Sequence, residues 1–267
     1  MRPPCVINYG HPYARNLVFA WVGSLQNSKF LYDAALNKTL TGSAALASDF
    51  TWGIMPGWNR ECFVSDSATK HFTSDSTPLV GATHVTMSCV VNHITAGGGG
   101  CPVYCQNSAG GAGAAIMYVS PKLFFRVEGE YIGLDGAEDG DSHHIAGTYS
   151  PSSTKGYVDG VLTDSDNDAR TLPTSATVKF FQGETYNWRG SLADVFIWTE
   201  EHEPSFIQRF ADPSNLYYDG LLVPVHSVLP IPPVTYDDGG GGGGTPVHLP
   251  LSNPIHNRLV GYSNLVH

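Results

Sequence analysis

Basic residues are scarce in this sequence. Lys and Arg number 14 against 24 Asp and Glu in 267 residues, a formal net charge of −10 at pH 7. Nowhere do they gather into the stripe on which nucleic-acid binding depends, so that class is excluded. Long apolar runs are missing too. No stretch approaches the roughly 18 consecutive apolar residues of a helical membrane span. The opening Met1-Arg2-Pro3-Pro4-Cys5-Val6 has neither an apolar core nor a small-residue cleavage site, so no signal peptide is expected.

Cysteine is sparse and odd in number: Cys5, Cys62, Cys89, Cys101 and Cys105. At least one is unpaired within a chain. Cys101 and Cys105 could close a local disulfide or supply half a metal site, but no second pair stands at zinc-finger spacing. The alternative is free thiols in a protein made in a reducing compartment.

Catalytic signatures are absent in turn. No Ser or Cys stands in a G-x-S-x-G context. The run Gly110-Gly111-Ala112-Gly113 lacks the Lys-Ser/Thr of a phosphate loop. Glycanases with paired carboxylates alternate acidic residues along one strand. Glu128-Gly129-Glu130 is the nearest approach, and it lacks the third member and falls at a turn. His143 and His144 invite a metal or general-base role, yet neighbours on a strand point to opposite faces and cannot easily share an ion. No enzyme is expected.

What is plentiful is turn chemistry. Gly (30) and Pro (18) are abundant while charged residues make up only 14 %, a balance that suits an all-β chain. Strands are expected near 17–22, 85–94, 117–119, 123–127, 131–134, 143–149, 154–158, 177–182 and 190–198. Tyr157-Val158-Asp159-Gly160 carries a hairpin turn signal. One helix is expected, with Glu203 as cap, Pro204 at the first position and Phe206, Ile207 and Phe210 on one face, ending near Asp212-Pro213.

The order of these segments resembles a laminin G-like, concanavalin A-like jelly roll. Asn8, His11, Pro12, Ala14, Arg15, Leu17 and Val18 resemble the opening of many such proteins from phage and metagenomic genomes. Leu31-Tyr32-Asp33 and Leu40-Thr41-Gly42 match the stretch that follows. Asn59-Arg60-Glu61-Cys62 replaces part of the family pattern after Pro56-Gly57-Trp58, and Asp212-Pro213 to Tyr217 lacks its usual Trp. The resemblance covers residues 8–224. It implies an antiparallel two-sheet sandwich, and a scaffold role for the His before the strand at 145–149.

Asp164, Asp166 and Asp168 are spaced as in a calcium loop, with Asp135, Asp139 and Asp141 as further candidates, since some laminin G-like domains bind calcium at a loop rim. An EF-hand would need Gly at the sixth position and Glu at the twelfth, where Ala169 and Ser175 stand. The competing reading is a set of solvated acidic turns, with no cofactor. For a glycan platform, Trp52, Trp58, Tyr186 and Trp188 are the candidates, because they lie in turn-rich regions; core packing is the competing reading.

Beyond residue 224 the composition changes. Prolines at 224, 230, 232 and 233 favour extended backbone, and six glycines occupy 239–244. Apolar residues then return: Val247, Leu249, Leu251, Ile255, Leu259, Val260, Tyr262, Leu265 and Val266. A disordered tail should be poor in these. Fully extended, the 43 residues after Pro224 (267 − 224) reach roughly 140 Å. Residues 1–224 are therefore expected to form the jelly roll and 225–267 a linker and docking arm that runs onto a partner. The functional expectation is a non-enzymatic virion protein, made in the host cytoplasm, most simply a phage capsid decoration protein. Its partner would be a capsid or other virion protein, and it would be a homo-oligomer. The alternative is a carbohydrate-binding module for cell-surface glycans.

Overall fold

Period-two alternation of apolar residues builds a sandwich of two antiparallel sheets. The computed structural model describes residues 5–22, 31–33, 38–42, 50–65, 72–73, 79–93, 100–107, 112–168, 172, 175–181 and 188–224. The first strands are β1 (Cys5–Ile7), β2 (Leu17–Trp21), β3 (Leu31–Asp33), β4 (Lys38–Gly42), β5 (Phe50–Met55) and β6 (Arg60–Ser65). Next come β7 (Phe72–Thr73), β8 (Val85–His93), β9 (Gly100–Asn107), β10 (Ala112–Val119), β11 (Lys122–Val127) and β12 (Glu130–Gly133). The last are β13 (Ser142–Ser150), β14 (Ser153–Val158), β15 (Val161–Asp166), β16 (Ser175–Phe180), β17 (Gly190–Trp198) and β18 (Leu222–Pro224). Helix α1 (Pro204–Phe210) lies between the last two.

Sheet I runs β15-β14-β13-β8-β17-β6-β5, with β2 added on β17. Sheet II runs β12-β11-β10-β9-β16-β7-β4-β3, and β1 and β18 form a small third pair. Between the large sheets lies the main core. Met87, Cys89, Val91, Ile145, Leu192, Val195 and Ile197 of sheet I meet Val103, Cys105, Ile116, Leu123, Phe125 and Phe180 of sheet II. At Gly147 an added Cβ would lie 2.1 Å from the Phe125 ring, so only glycine lets that ring reach the opposite sheet.

A second apolar cluster covers the outer face of sheet I. Ala146, Tyr157, Phe196 and Trp198 lie under Phe206, Ile207 and Phe210 of α1 and under Tyr218, Leu221 and Leu222. The helix follows the sequence reading in Pro204 at its start and in buried Phe206, Ile207 and Phe210; Glu203 holds the cap position, but its side chain makes no capping hydrogen bond. The Asp159-Gly160 turn has φ of 49° and 79°, as a two-residue hairpin requires. It also lies against α1: a Cβ on Gly160 would meet the Gln208 Cα at 2.7 Å.

Two segments differ from the sequence expectation. Residues 100–107, bracketed by glycine runs, form β9 in the middle of sheet II. Residues 161–166, whose aspartates were read as an acidic turn or calcium loop, form β15 at the edge of sheet I. Cys62, Cys89 and Cys105 are free thiols, and they and Cys101 are buried. Cys105 faces the inter-sheet core and Cys101 the outer cluster, so the two point to opposite sides of β9 and no local disulfide joins them.

Candidate functional site

The four aromatic candidates are separated by the fold. Trp58 is 3 % exposed; its indole N–H donates to the Ser142 carbonyl at 3.2 Å, and its ring stacks on His144. Trp188 is 1 % exposed and packs against Tyr118. Neither ring offers a face to a sugar, which corrects that expectation: the turn-rich sequence around them marks connections that fold back onto the sheets, Trp188 into the inter-sheet core and Trp58 onto the outer face of sheet I. Tyr186 lies outside the described residues. Trp52, 40 % exposed on β5, sits beside exposed Ile54 and meets Phe63 edge-on at 4.2 Å.

The aspartates serve local backbone. Asp164 Oδ2 accepts from Gly133 N–H at 2.9 Å, and Asp166 Oδ1 accepts from Asp168 N–H at 3.1 Å. Asp135 pairs with Lys122 Nζ at 2.8 Å, while Asp139 contacts His143 Nε2 and accepts from Asp141 N–H. Among the described residues no three His, Cys, Asp or Glu side chains converge as a metal would need. The arm residues Val247, Leu249, Leu251, Ile255, Leu259, Val260, Tyr262 and Leu265 lie outside the described residues.

Chemistry-bearing side chains do gather on the outer face of sheet I, but they are sealed. Arg60 (β6) donates to Asp194 Oδ2 (β17) at 3.1 Å, to Tyr218 Oη, and to the Asn215 carbonyl. Tyr218 Oη donates to the same Asp194 oxygen at 2.8 Å. Asp194 sits at φ 47°, where the register of β17 on β8 shifts, and this bulge aims the carboxylate at the guanidinium. Beside them, Ser88 Oγ and His144 Nε2 are 2.7 Å apart. Burial, helped by the Arg60 charge, pushes His144 down to about 3, so its ring is neutral. Ser88, His144 and Asp194 are each at most 1 % exposed. A nucleophile needs a path to substrate; here Trp58 and the 211–222 segment close it. The cluster clamps that segment to the sheet.

His143 points the other way. Its two ring nitrogens lie 2.8 Å from Asp139 and 2.7 Å from Asp159. Burial works against its charge, but the two carboxylates together hold its pKa above the ordinary value.

The open chemistry lies on the outer face of sheet II. Strand β11 alternates: Leu123, Phe125 and Val127 enter the core, and Phe124 and Arg126 face outward. Strand pairing aligns Tyr131, Arg126, Ala115, Tyr104 and Lys179 in one row across five strands. The Arg126 guanidinium lies 5.3 Å over the Tyr131 ring, and Phe124 meets that ring edge-on at 5.5 Å. Tyr131 is 42 % exposed. At the row's other end, burial lowers the Lys179 pKa. Ala115, the smallest side chain of the row, separates Arg126 from Tyr104. The sequence reading missed this face, although the alternation over 122–127 was there to be read.

A family model of the concanavalin A-like lectin/glucanases superfamily matches residues 66–208, more than half of the chain. The chain belongs to this superfamily. No curated protein matches the chain. Among solved structures, the superfamily fold is shared with the binding domain of botulinum neurotoxin DC in complex with SialylT. The two are 14 % identical with a TM-score of 0.55, over 76 % of this chain and 52 % of that one. The binding domain of Paraclostridial Mosquitocidal Protein 1 is similarly placed: 14 % identity, TM-score 0.56, 75 % and 53 % covered. Trypanosoma rangeli sialidase in complex with sialic acid is 13 % identical, with a TM-score of 0.57 over 78 % of this chain and 34 % of that one. This chain thus spans about half of the toxin binding domains and a third of the sialidase.

Proposed function

We propose that this superfamily member is a glycan-binding module that recognises an anionic sugar on the outer face of sheet II without turning it over. The observation that carries the reading is the Tyr131–Arg126 pair, an exposed ring with a guanidinium over it, at the end of a row that also holds Lys179. A sugar presents a C–H face that packs on an aromatic ring, and a carboxylate suits the planar fork of Arg. In a chain of net charge −10, an anion needs a local cation, and Arg126 supplies one beside the exposed ring. Two of the similar structures were solved with sialylated or sialic-acid ligands, which supports testing that chemistry first. The test is a glycan array probed with the full chain and with Tyr131→Ala and Arg126→Lys. Binding to sialylated but not asialo glycans is expected. Each substitution should weaken it at least about tenfold, as loss of a stacked or forked contact does. A blank array with the unaltered chain would refute the reading.

A second reading places the protein on a virus particle, as a phage decoration protein docked through residues 247–265 onto a capsid or other virion protein. The resemblance of residues 8–18 to phage proteins and the apolar content beyond six glycines favour it. Removing 225–267 should then abolish particle binding while the β-sandwich persists; unchanged binding would exclude it. A particle protein that displays a sugar-binding face satisfies both readings.

A further inference from the structure

Residues 134–141 carry the chain from β12 of sheet II across to β13 of sheet I. The β12 end of this crossing is fastened without help from any titrating ring. Leu134 N–H donates to the Leu123 carbonyl at 3.0 Å, and Glu138 accepts from the Leu123 and Gly136 N–H groups, each at 3.1 Å. Leu134 and Ala137 are sunk in the inter-sheet core. At the β13 end, Asn92 Nδ2 donates to the Gly140 carbonyl at 2.8 Å, a bond between uncharged groups. The remaining tie is His143. Its Nε2 lies 2.8 Å from Asp139 of the crossing and its Nδ1 lies 2.7 Å from Asp159 of the β14–β15 hairpin.

That geometry demands two protons. A neutral imidazole has one N–H, so it can donate to one carboxylate while its bare nitrogen faces the other. The imidazolium donates from both nitrogens, and such charge-assisted bonds are about twice as strong as neutral ones. The two carboxylates are also held differently. Asp159 Oδ1 accepts from His144 N–H at 2.9 Å, Asp159 N–H donates to the His144 carbonyl at 2.8 Å, and its turn lies against α1 at Gly160. Asp139 is 53 % exposed, and its Oδ1 accepts from Asp141 N–H within its own loop.

Little else of charge meets the ring. On β13, His144 is neutral and faces the other side of the sheet. Strand β8 sets Val91 opposite His143 and Asn92 beside it, and α1 presents Gln208 to the hairpin. Within the crossing, Glu138 is turned to backbone N–H groups and Asp141 belongs to the Asp139 turn.

We propose that His143 is a pH-operated latch on this crossing. Charged, it ties Asp139 to the β14–β15 hairpin; neutral, it keeps Asp159 through Nδ1–H and lets Asp139 go. Burial works against the charge, but the two carboxylates outweigh it and hold the ring's pKa above the ordinary 6.5. The latch is therefore closed below that raised value and opens as pH rises through it. The Asp139 carboxyl, held below its ordinary value by the ring and by Asp141 N–H, stays charged throughout. Opening is local, because the bonds of Leu134 and Glu138 do not involve the ring. It depends on neither the glycan nor the particle reading.

The Asp141 amide reports on the latch. Deuterium exchange of the full chain is followed from about pH 5.5 to about pH 9, as protection relative to an unstructured amide at each pH. A chelator is present throughout, so that no bound metal takes part. Asp141 should lose at least about tenfold in protection across this range. The midpoint should coincide with the His143 titration read by ring-proton NMR, while Leu134 and Gly136 hold their protection. Asp139→Asn offers the bare nitrogen a donor, so it should keep Asp141 protected at every pH; His143→Gln should likewise show no step. Absence of the step in the unaltered chain, a midpoint away from the ring's titration, or a step that survives in either variant would overturn the proposal.

Discussion

At the residue scale, two adjacent histidines sit in surroundings that move their protonation in opposite directions. His144 is neutral in the fold down to about pH 3, but its ring gains a proton near 6.5 once unfolded. His202, buried against α1, behaves similarly, with a folded value of about 4 that burial lowers despite nearby Glu200. For such groups the stabilisation is complete above 6.5 and is lost as pH falls, because only the unfolded chain takes the proton. Each contributes a slope of about 1.4 kcal/mol per pH unit between 6.5 and its folded value. His143 has the reverse sign: its folded value is raised, so its contribution is present below 6.5 and fades as pH rises through that higher value. Urea unfolding measured from pH 8.5 to 4.5 should show a maximum near neutrality, and His144→Gln should flatten the acid limb. Ring-proton NMR should find His143 charged at a pH where His144 is not. A single shared titration would contradict this account. The pairing at Arg60 makes a separate prediction. Asp194→Ala strands a buried guanidinium and should cost about 3–5 kcal/mol, more than the Arg60→Met, Asp194→Leu double variant. A denaturation cycle checks the sign.

At the element scale, legibility followed from how each strand is solvated. The hairpin around Ser120-Pro121 and the helix at 204–210 were readable because alternation or helical spacing there coincides with turn or cap residues. β9 was not. Buried on both faces, it shows no alternation, and the glycine runs beside it suggest loops. β15 was missed for the opposite reason: it lies at an edge with most of its residues exposed, so its aspartates read as a loop. Trp58 and Trp188 were misplaced because connections in a sandwich can fold back onto the sheets: Trp188 lines the inter-sheet core and Trp58 covers the outer face of sheet I. The glycines make a testable case. Gly147→Ala sets a methyl into the Phe125 ring, and Gly160→Ala forces a Cβ toward the Gln208 backbone at positive φ. Each should destabilise by about 1–3 kcal/mol. The Gly147 variant should recover with Phe125→Leu, which frees space across the sheets, and the Gly160 variant should not. Thermal unfolding of the four proteins distinguishes the outcomes.

At the scale of the whole molecule, the question is whether the two sheets and the 199–224 covering segment open together. Sheet I contributes to both apolar clusters, one on each face, and Arg60 and Asp194 tie the covering segment to its middle strands. Neither cluster can open without stripping a face of that sheet. The thiols report on this. Cys89 and Cys105 lie on opposite sheets in the central core and Cys62 on the outer face of sheet I, all essentially inaccessible. Burial raises all three thiol pKa values, Cys105 to about 12, so none is a reactive thiolate in the fold. Their alkylation then requires opening, and its rate measures the free energy of that opening. If the molecule is one cooperative unit, Cys62, Cys89 and Cys105 label at rates that rise with denaturant along a single slope, matching global unfolding. Mass spectrometry resolves each site. A shallower slope at Cys62 alone would show that the patch it shares with Met55 and Trp58, where Arg60 lies over the Trp58 ring, opens before the central core.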